Sequence, residues 1–217
     1  MTENNIQIIH KTSDFIRELL EGEGSGHDWW HIYRVRNNAL AIAKAYKTID
    51  LFVVEMSALL HDIADHKFHG GDENIGIQKA ESWLTKQQVA EDAKQHILCI
   101  MEEVSFSKGK KPTSLESEIV QDADRLDAIG AVGIARTFAY GGFKKREIYN
   151  PNIPPVKYAN MEDYKKNTKP TVNHFYEKLL LLKDMMNTAE AKKIAMGRHA
   201  FMKAYLSQFF QEWEGEL

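Results

Sequence analysis

Apolar residues recur at three- and four-residue intervals along nearly the whole chain, and the strict alternation of strands with Asn-Gly or Asp-Gly turns is missing from the sequence. The pattern predicts an all-α protein. A first helix is expected over about 10–21, ending in the glycine-rich EGEGSG, whose glycines and Ser25 suit a break before a second helix over about 27–47. Asp50 is placed to cap a third helix of about 51–65 that stops near HGGD, Asp72 to cap a fourth running to about 86, and a fifth covers about 89–104. After the basic loop KGKKP, Thr113 and Glu116 have capping-box spacing, so one long sixth helix is expected to reach Gly141 and Gly142. Two more, about 171–187 and 189–213, close the chain.

Between residues 143 and 170 lies a segment with four of the five prolines and many charges, which is not expected to be helical throughout. A loop that long is commonly functional, and a substrate-covering role is one reading of it. No internal repeat interrupts the chain, so residues 1–217 are read as a single domain with one elaborated loop.

Three helical stripes end in groups that do not belong in a core. In the third helix, Val54, Ala58, His61, Asp62 and Asp65 share one face; in the second, His31, Val35, Ala39, Ile42, Ala43 and Tyr46 do, flanked by His27 and Arg34. In the sixth, Val120, Asp124, Asp127, Ala131, Ile134, Ala135 and Phe138 lie within about one face. A lone inward histidine is most often a hydrogen-bonded core residue, but an unpaired buried carboxylate is costly, and here carboxylates and imidazoles come together. Mixed nitrogen and oxygen donors suit manganese, iron, cobalt, nickel or zinc, whereas magnesium and calcium favour oxygen alone. The string DADRLD leaves the choice of aspartate open, because Asp122 and Asp124 lie about 160° apart on the helix and both sides carry apolar residues.

Composition narrows the partners rather than the fold. With 43% hydrophobic and 27% charged residues and a formal net charge of −3, the chain has no global attraction for nucleic acid or anionic membrane. No stretch approaches the roughly 18 apolar residues of a membrane span, and the N-terminus lacks the features of a signal peptide, which predicts a cytoplasmic protein. The single cysteine, Cys99, excludes an internal disulfide, and its apolar setting HILCIM predicts a buried, inert thiol. Apolar stripes such as Phe175, Leu179, Leu182 and Met186 suit internal packing, with a homodimer face as the alternative.

The string HIYRV at 31–35, HD at 61–62 and DADRLDAIG at 122–130 together resemble the H…HD…D pattern of the HD-domain metal-dependent phosphohydrolases, over roughly 25–140, and are closest to a bacterial YpgQ-like subgroup. The resemblance implies an all-helical HD bundle with a metal site between core helices. It implies His31, His61, Asp62 and Asp124 as ligands of one divalent ion, with Asp122 a structural partner and Asp127 a nearby or ion-paired group. Two-metal relatives add histidines after HD, whereas here only His96, Glu102 and Glu103 follow on the fifth helix. Manganese is the favoured ion, with nickel, cobalt, iron, zinc or magnesium as alternatives.

By the same resemblance, Asp65 matches the carboxylate that handles the attacking water, although a helix-capping role would explain it equally simply. A phosphorylated substrate needs cations, for which Arg34, Lys67 and Lys144 are the candidates, ahead of Lys145 and Arg146. Trp29, Trp30, Tyr140 and Phe143 are candidates for stacking on a base, against the commoner role of packing. The expected activity is hydrolysis of (deoxy)nucleoside triphosphates to monophosphate and pyrophosphate. The alternatives are a nucleoside monophosphate phosphatase, a cyclic phosphodiesterase, or a nucleotide sensor whose metal is structural.

Overall fold

The computed structural model describes residues 1–22, 28–63, 74–104, 110–157 and 168–216, and all regular structure within them is helical. Its contacts divide the chain into two compact units, Met1–Asp124 and Arg125–Leu217.

The first unit contains α1 (Glu3–Leu19), α2 (Trp29–Ala43), α3 (Leu51–Leu60), α4 (Asn74–Lys86), α5 (Glu91–Val104) and most of α6 (Leu115–Asp127). Its centre is α3, which Asp50 starts as the sequence predicts by accepting from the Phe52 and Val53 amides at 2.9 and 3.2 Å. Every residue from Phe52 to Leu60 is buried, with α1, α2 and α5 packed around the helix, so beyond its exposed first residue, Leu51, it has no solvent face rather than one inward stripe. On the flank, the Trp83 indole of α4 donates to Thr12 Oγ1 of α1 at 2.8 Å and stacks on Phe15 at 3.9 Å.

The start of α6 differs from the expected capping box. Ser114 is the residue whose hydroxyl accepts from an amide three positions on, that of Ser117, at 3.1 Å, while Glu116 Oε1 accepts from the Asp50 amide at 2.9 Å. Thr113 turns instead to the buried Glu103 of α5, donating through Oγ1 at 2.8 Å and its amide at 3.1 Å, and Ser117 Oγ donates to the same carboxylate at 2.5 Å. His96 is also structural, with Nε2 at 2.9 Å from Ser114 Oγ. Cys99 is exposed rather than buried, because α5 turns it outward; partial desolvation and the charge of Glu103 push its thiol up, away from the reactive thiolate.

Burial alone would raise the Glu103 carboxyl, but the bonds from Ser117 and Thr113 prevail and hold it below the ordinary value of 4.5. Its folded value is thus the lower one, so its stabilisation is complete above the unfolded value and drains away as pH falls through the folded value. Glu103→Gln is expected to flatten the loss of stability between about pH 5 and pH 3 in urea unfolding. An acid limb identical to that of the parent protein would contradict it.

The second unit comprises the end of α6, α7 (Gly130–Phe143), the short α8 (Asn173–Glu177), a 3-10 helix (Leu179–Met185) and α9 (Ala189–Trp213). The expected long sixth helix is therefore two: Ile129 is extended at φ −125°, ψ 164°, and Gly130 takes φ +80°, which favours glycine. A Cβ at Gly130 would also meet Arg198 Cγ at 2.9 Å. The stripe drawn through both halves fails with the break, and Ala131 and Ala135 are exposed. The expected 171–187 helix is likewise shorter and divided, ending its α portion at Glu177, after which Leu179 and Leu182 are buried three apart as a three-residue turn requires.

Phe175, Leu179, Leu182 and Met186 are all buried by this unit itself, so internal packing accounts for that stripe. The 143–170 segment is partly tied down: the Thr171 and Val172 amides donate to the Glu147 and Ile148 carbonyls at 2.8 and 3.0 Å, and Asn173 Nδ2 donates to Ile153 O at 2.9 Å. Residues 158–167 lie outside the described residues. No helix among the described residues is long and apolar enough to cross a membrane.

Candidate metal centre

Three elements of the first unit carry the polar groups that the sequence singles out. Asp28 caps α2, its Oδ1 accepting from the His31 amide at 2.9 Å, which fixes His31 in the first turn. This cap was not anticipated, although its three-residue spacing to His31 is a readable signal. The apolar run of α3 ends at Leu60, so His61 and Asp62 follow directly on the most buried helix of the unit. Asp124 lies in the last turn of α6.

The four side chains converge. His31 Nε2 is 3.3 Å from His61 Nε2 and 3.5 Å from both Asp62 Oδ2 and Asp124 Oδ1. His61 Nε2 is 3.8 Å from Asp62 Oδ2 and 3.9 Å from Asp124 Oδ1. The His61 Nδ1 lies 2.9 Å from the Ala58 carbonyl, which can only accept, so Nδ1 donates there and Nε2 is the nitrogen turned to the site. Nε2 faces two carboxylate oxygens and a second imidazole nitrogen, a donor-rich cluster suited to a cation at its centre.

The donor set fits a divalent ion. Bonds of about 2.1 Å place neighbouring donors about 3.0 Å apart in an octahedron and about 3.4 Å apart in a tetrahedron, close to the shorter separations here. His31, His61 and Asp62 each offer an atom within 4.8 Å of the others, and the His61 backbone contact is the usual second bond that orients a ligating imidazole. Asp122, by contrast, is completely buried on another side of α6, while Asp124 keeps 30% of its side chain exposed. The helix faces left open by periodicity are thus separated by their surroundings.

The helices bearing these groups are joined by polar contacts that the sequence did not suggest. Arg36 of α2 donates through Nε to the buried Glu55 of α3 at 2.7 Å and pairs with it through Nη2 as well. Asn38 of α2 donates to the Ala123 carbonyl of α6 at 3.3 Å. Arg36→Ala leaves Glu55 buried without this partner and is expected to cost on the order of 2 kcal/mol of unfolding free energy. A denaturant midpoint unchanged from the parent would contradict that cost.

The other expected site residues are distributed unevenly. Arg34 is half-buried on α2. Asp65 and Lys67 lie outside the described residues, as do His27, His66, His69 and the expected cap Asp72. Lys144 belongs to the second unit, where its ammonium lies 5.4 Å from the Phe143 ring centre and 5.7 Å from that of Tyr140. Asp127 is buried there in an ion pair with Arg136 at 2.7 Å, and Arg125 donates to the Met185 carbonyl. Trp30 and Phe143 are largely exposed, so neither is a core residue.

The HD-domain sequence profile matches residues 29–129, which contain all four converging side chains. The YpgQ protein of Bacillus subtilis (strain 168) is 36% identical over 205 residues, covering 93% of this chain and 91% of its own. A Lactobacillus plantarum crystal structure superimposes with TM-score 0.83 at 37% identity over 99% of both chains. An HD-superfamily hydrolase from Bacillus thuringiensis does so with TM-score 0.77 at 44% identity, over 97% of this chain and 99% of its own. YpgQ crystallised in complex with ADP matches with TM-score 0.77 and 32% identity over 96% of each chain. The chain belongs to the HD-domain family of metal-dependent phosphohydrolases, and its fold is the all-α fold of that family.

Proposed function

We propose that this chain hydrolyses (deoxy)nucleoside triphosphates to the monophosphate and pyrophosphate, with one divalent ion, manganese by preference, held by His31, His61, Asp62 and Asp124. Two imidazole nitrogens 3.3 Å apart, each 3.5–3.9 Å from an oxygen of Asp62 and of Asp124, carry the hydrolytic part of this reading. The nucleotide part is supported by YpgQ, whose crystal structure contains ADP. A divalent ion in such a site supplies water activation near neutral pH and neutralises phosphoryl charge.

The protein groups do the remainder. His61, with its proton fixed on Nδ1 by Ala58, offers only its Nε2 lone pair to the site and takes no proton from substrate while so engaged. Asp65 accepts the proton of the attacking water as the new oxygen bond forms at the α-phosphorus, and the bond from that phosphorus to its bridging oxygen breaks to release pyrophosphate. Arg34, Lys67 and Lys144 are the candidates for holding phosphoryl oxygens.

The test is a product-resolved panel of nucleoside mono-, di-, tri- and cyclic phosphates with manganese, magnesium, cobalt or nickel, alongside the bound-metal content of the purified protein. Pyrophosphate in equal amount to monophosphate is expected. Orthophosphate from monophosphates alone, ring opening of a cyclic phosphodiester alone, or nucleotide binding without any product would each overturn the proposed reaction.

A further inference from the structure

Helix α2 supplies more than one ligand. Asn38 stands seven residues after His31, two turns along the same side of the helix, and its Nδ2 donates to the Ala123 carbonyl at 3.3 Å. Ala123 immediately precedes Asp124, whose Oδ1 is 3.5 Å from His31 Nε2. The same two helices are thus joined twice, once through the site and once through this amide. A helix-interior carbonyl has two lone pairs and the helical ladder needs only one, so the Asn38 bond leaves the α6 ladder intact. Arg36 makes the corresponding link from α2 to Glu55 on α3, the helix that leads into His61 and Asp62.

We infer that Asn38 is a positioning residue, which sets the register of α6 against α2 and thereby holds the Asp124 carboxylate at the distance from His31 that a shared cation requires. The inference rests on the metal reading of the four-residue site. It assigns Asn38 no contact with substrate. Carboxylates misplaced by a fraction of an ångström bind a cation less tightly, and loss of an outer hydrogen bond typically costs about 10–100-fold in metal affinity.

The experiment titrates manganese into the full-length protein after chelator treatment, and measures urea unfolding of the same metal-free samples. Asn38→Leu, which keeps the shape of the side chain and removes its donor, is expected to weaken manganese binding by at least about 10-fold. The metal-free urea midpoint is expected to stay near that of the parent. Should Asn38→Leu fail to fold, Asn38→Ala is read in the same way.

A second arm distinguishes positioning from general loosening. Combined with Asp124→Glu, which keeps the carboxylate but displaces it, Asn38→Leu is expected to add little further loss, because both changes act on one distance. Unchanged manganese affinity in the single variant overturns the inference, as do fully additive losses in the double variant. A loss of affinity that merely follows loss of folded protein overturns it too. If the parent protein binds no divalent ion, the proposed function fails along with this inference; if the parent binds and Asn38→Leu binds equally, only the role of Asn38 fails.

Discussion

Asp124→Ala is expected to weaken retention of the divalent ion by at least about 100-fold and to abolish hydrolysis with it, since an entire carboxylate is removed from the cluster around His31. Asp122→Ala should behave differently, although only two residues separate the sites. Asp122 is fully buried, so its removal disturbs the packed interior and is expected to cost about 1–3 kcal/mol of folding free energy with the metal site retained. Metal content by elemental analysis and denaturant unfolding distinguish the two responses. Retention of a full equivalent of metal by Asp124→Ala, with loss in Asp122→Ala, would place the ligand on the other side of α6.

Asp65→Asn separates the chemistry from the metal. The amide cannot accept the water proton, so turnover is expected to fall by about 100- to 10,000-fold while metal content stays at the level of the parent protein. The comparison of kcat with bound manganese in one preparation is the measurement. Undiminished turnover would remove Asp65 from the mechanism, and metal lost together with activity would make it a holder of the ion rather than a proton acceptor.

The helical class was legible because it depends on local regularities, and the residues proposed as metal ligands stood out against the same pattern. Periodicity exposes a helix, and His31, His61, Asp62 and Asp124 stand where apolar residues would be expected. The choice between Asp122 and Asp124 was beyond periodicity, because both sides of α6 carry apolar residues; only the tertiary neighbourhood separates them. The break at Ile129 and Gly130 was missed for a related reason. Apolar residues continue through it, and the glycine that permits φ +80° is one of several in that stretch. The burial of Glu103 was not legible, because it follows from partners ten and fourteen positions away, Thr113 and Ser117. Asn38 and Arg36 were illegible for the same reason, since their partners Ala123 and Glu55 belong to other helices.

The interruption after α6 also has an electrostatic consequence. In one continuous helix to Gly142, Asp124 would sit near mid-helix, where backbone dipoles largely cancel. Because α6 stops at Asp127, Asp124 stands in its final turn, and His61 stands at the end of α3. The negative poles of both helices therefore reinforce the two carboxylates, making this corner of the first unit a well for positive charge and a barrier to a polyphosphate arriving alone. For the proposed reaction, where two helices end thus sets an expected order of arrival, the cation ahead of the anionic substrate.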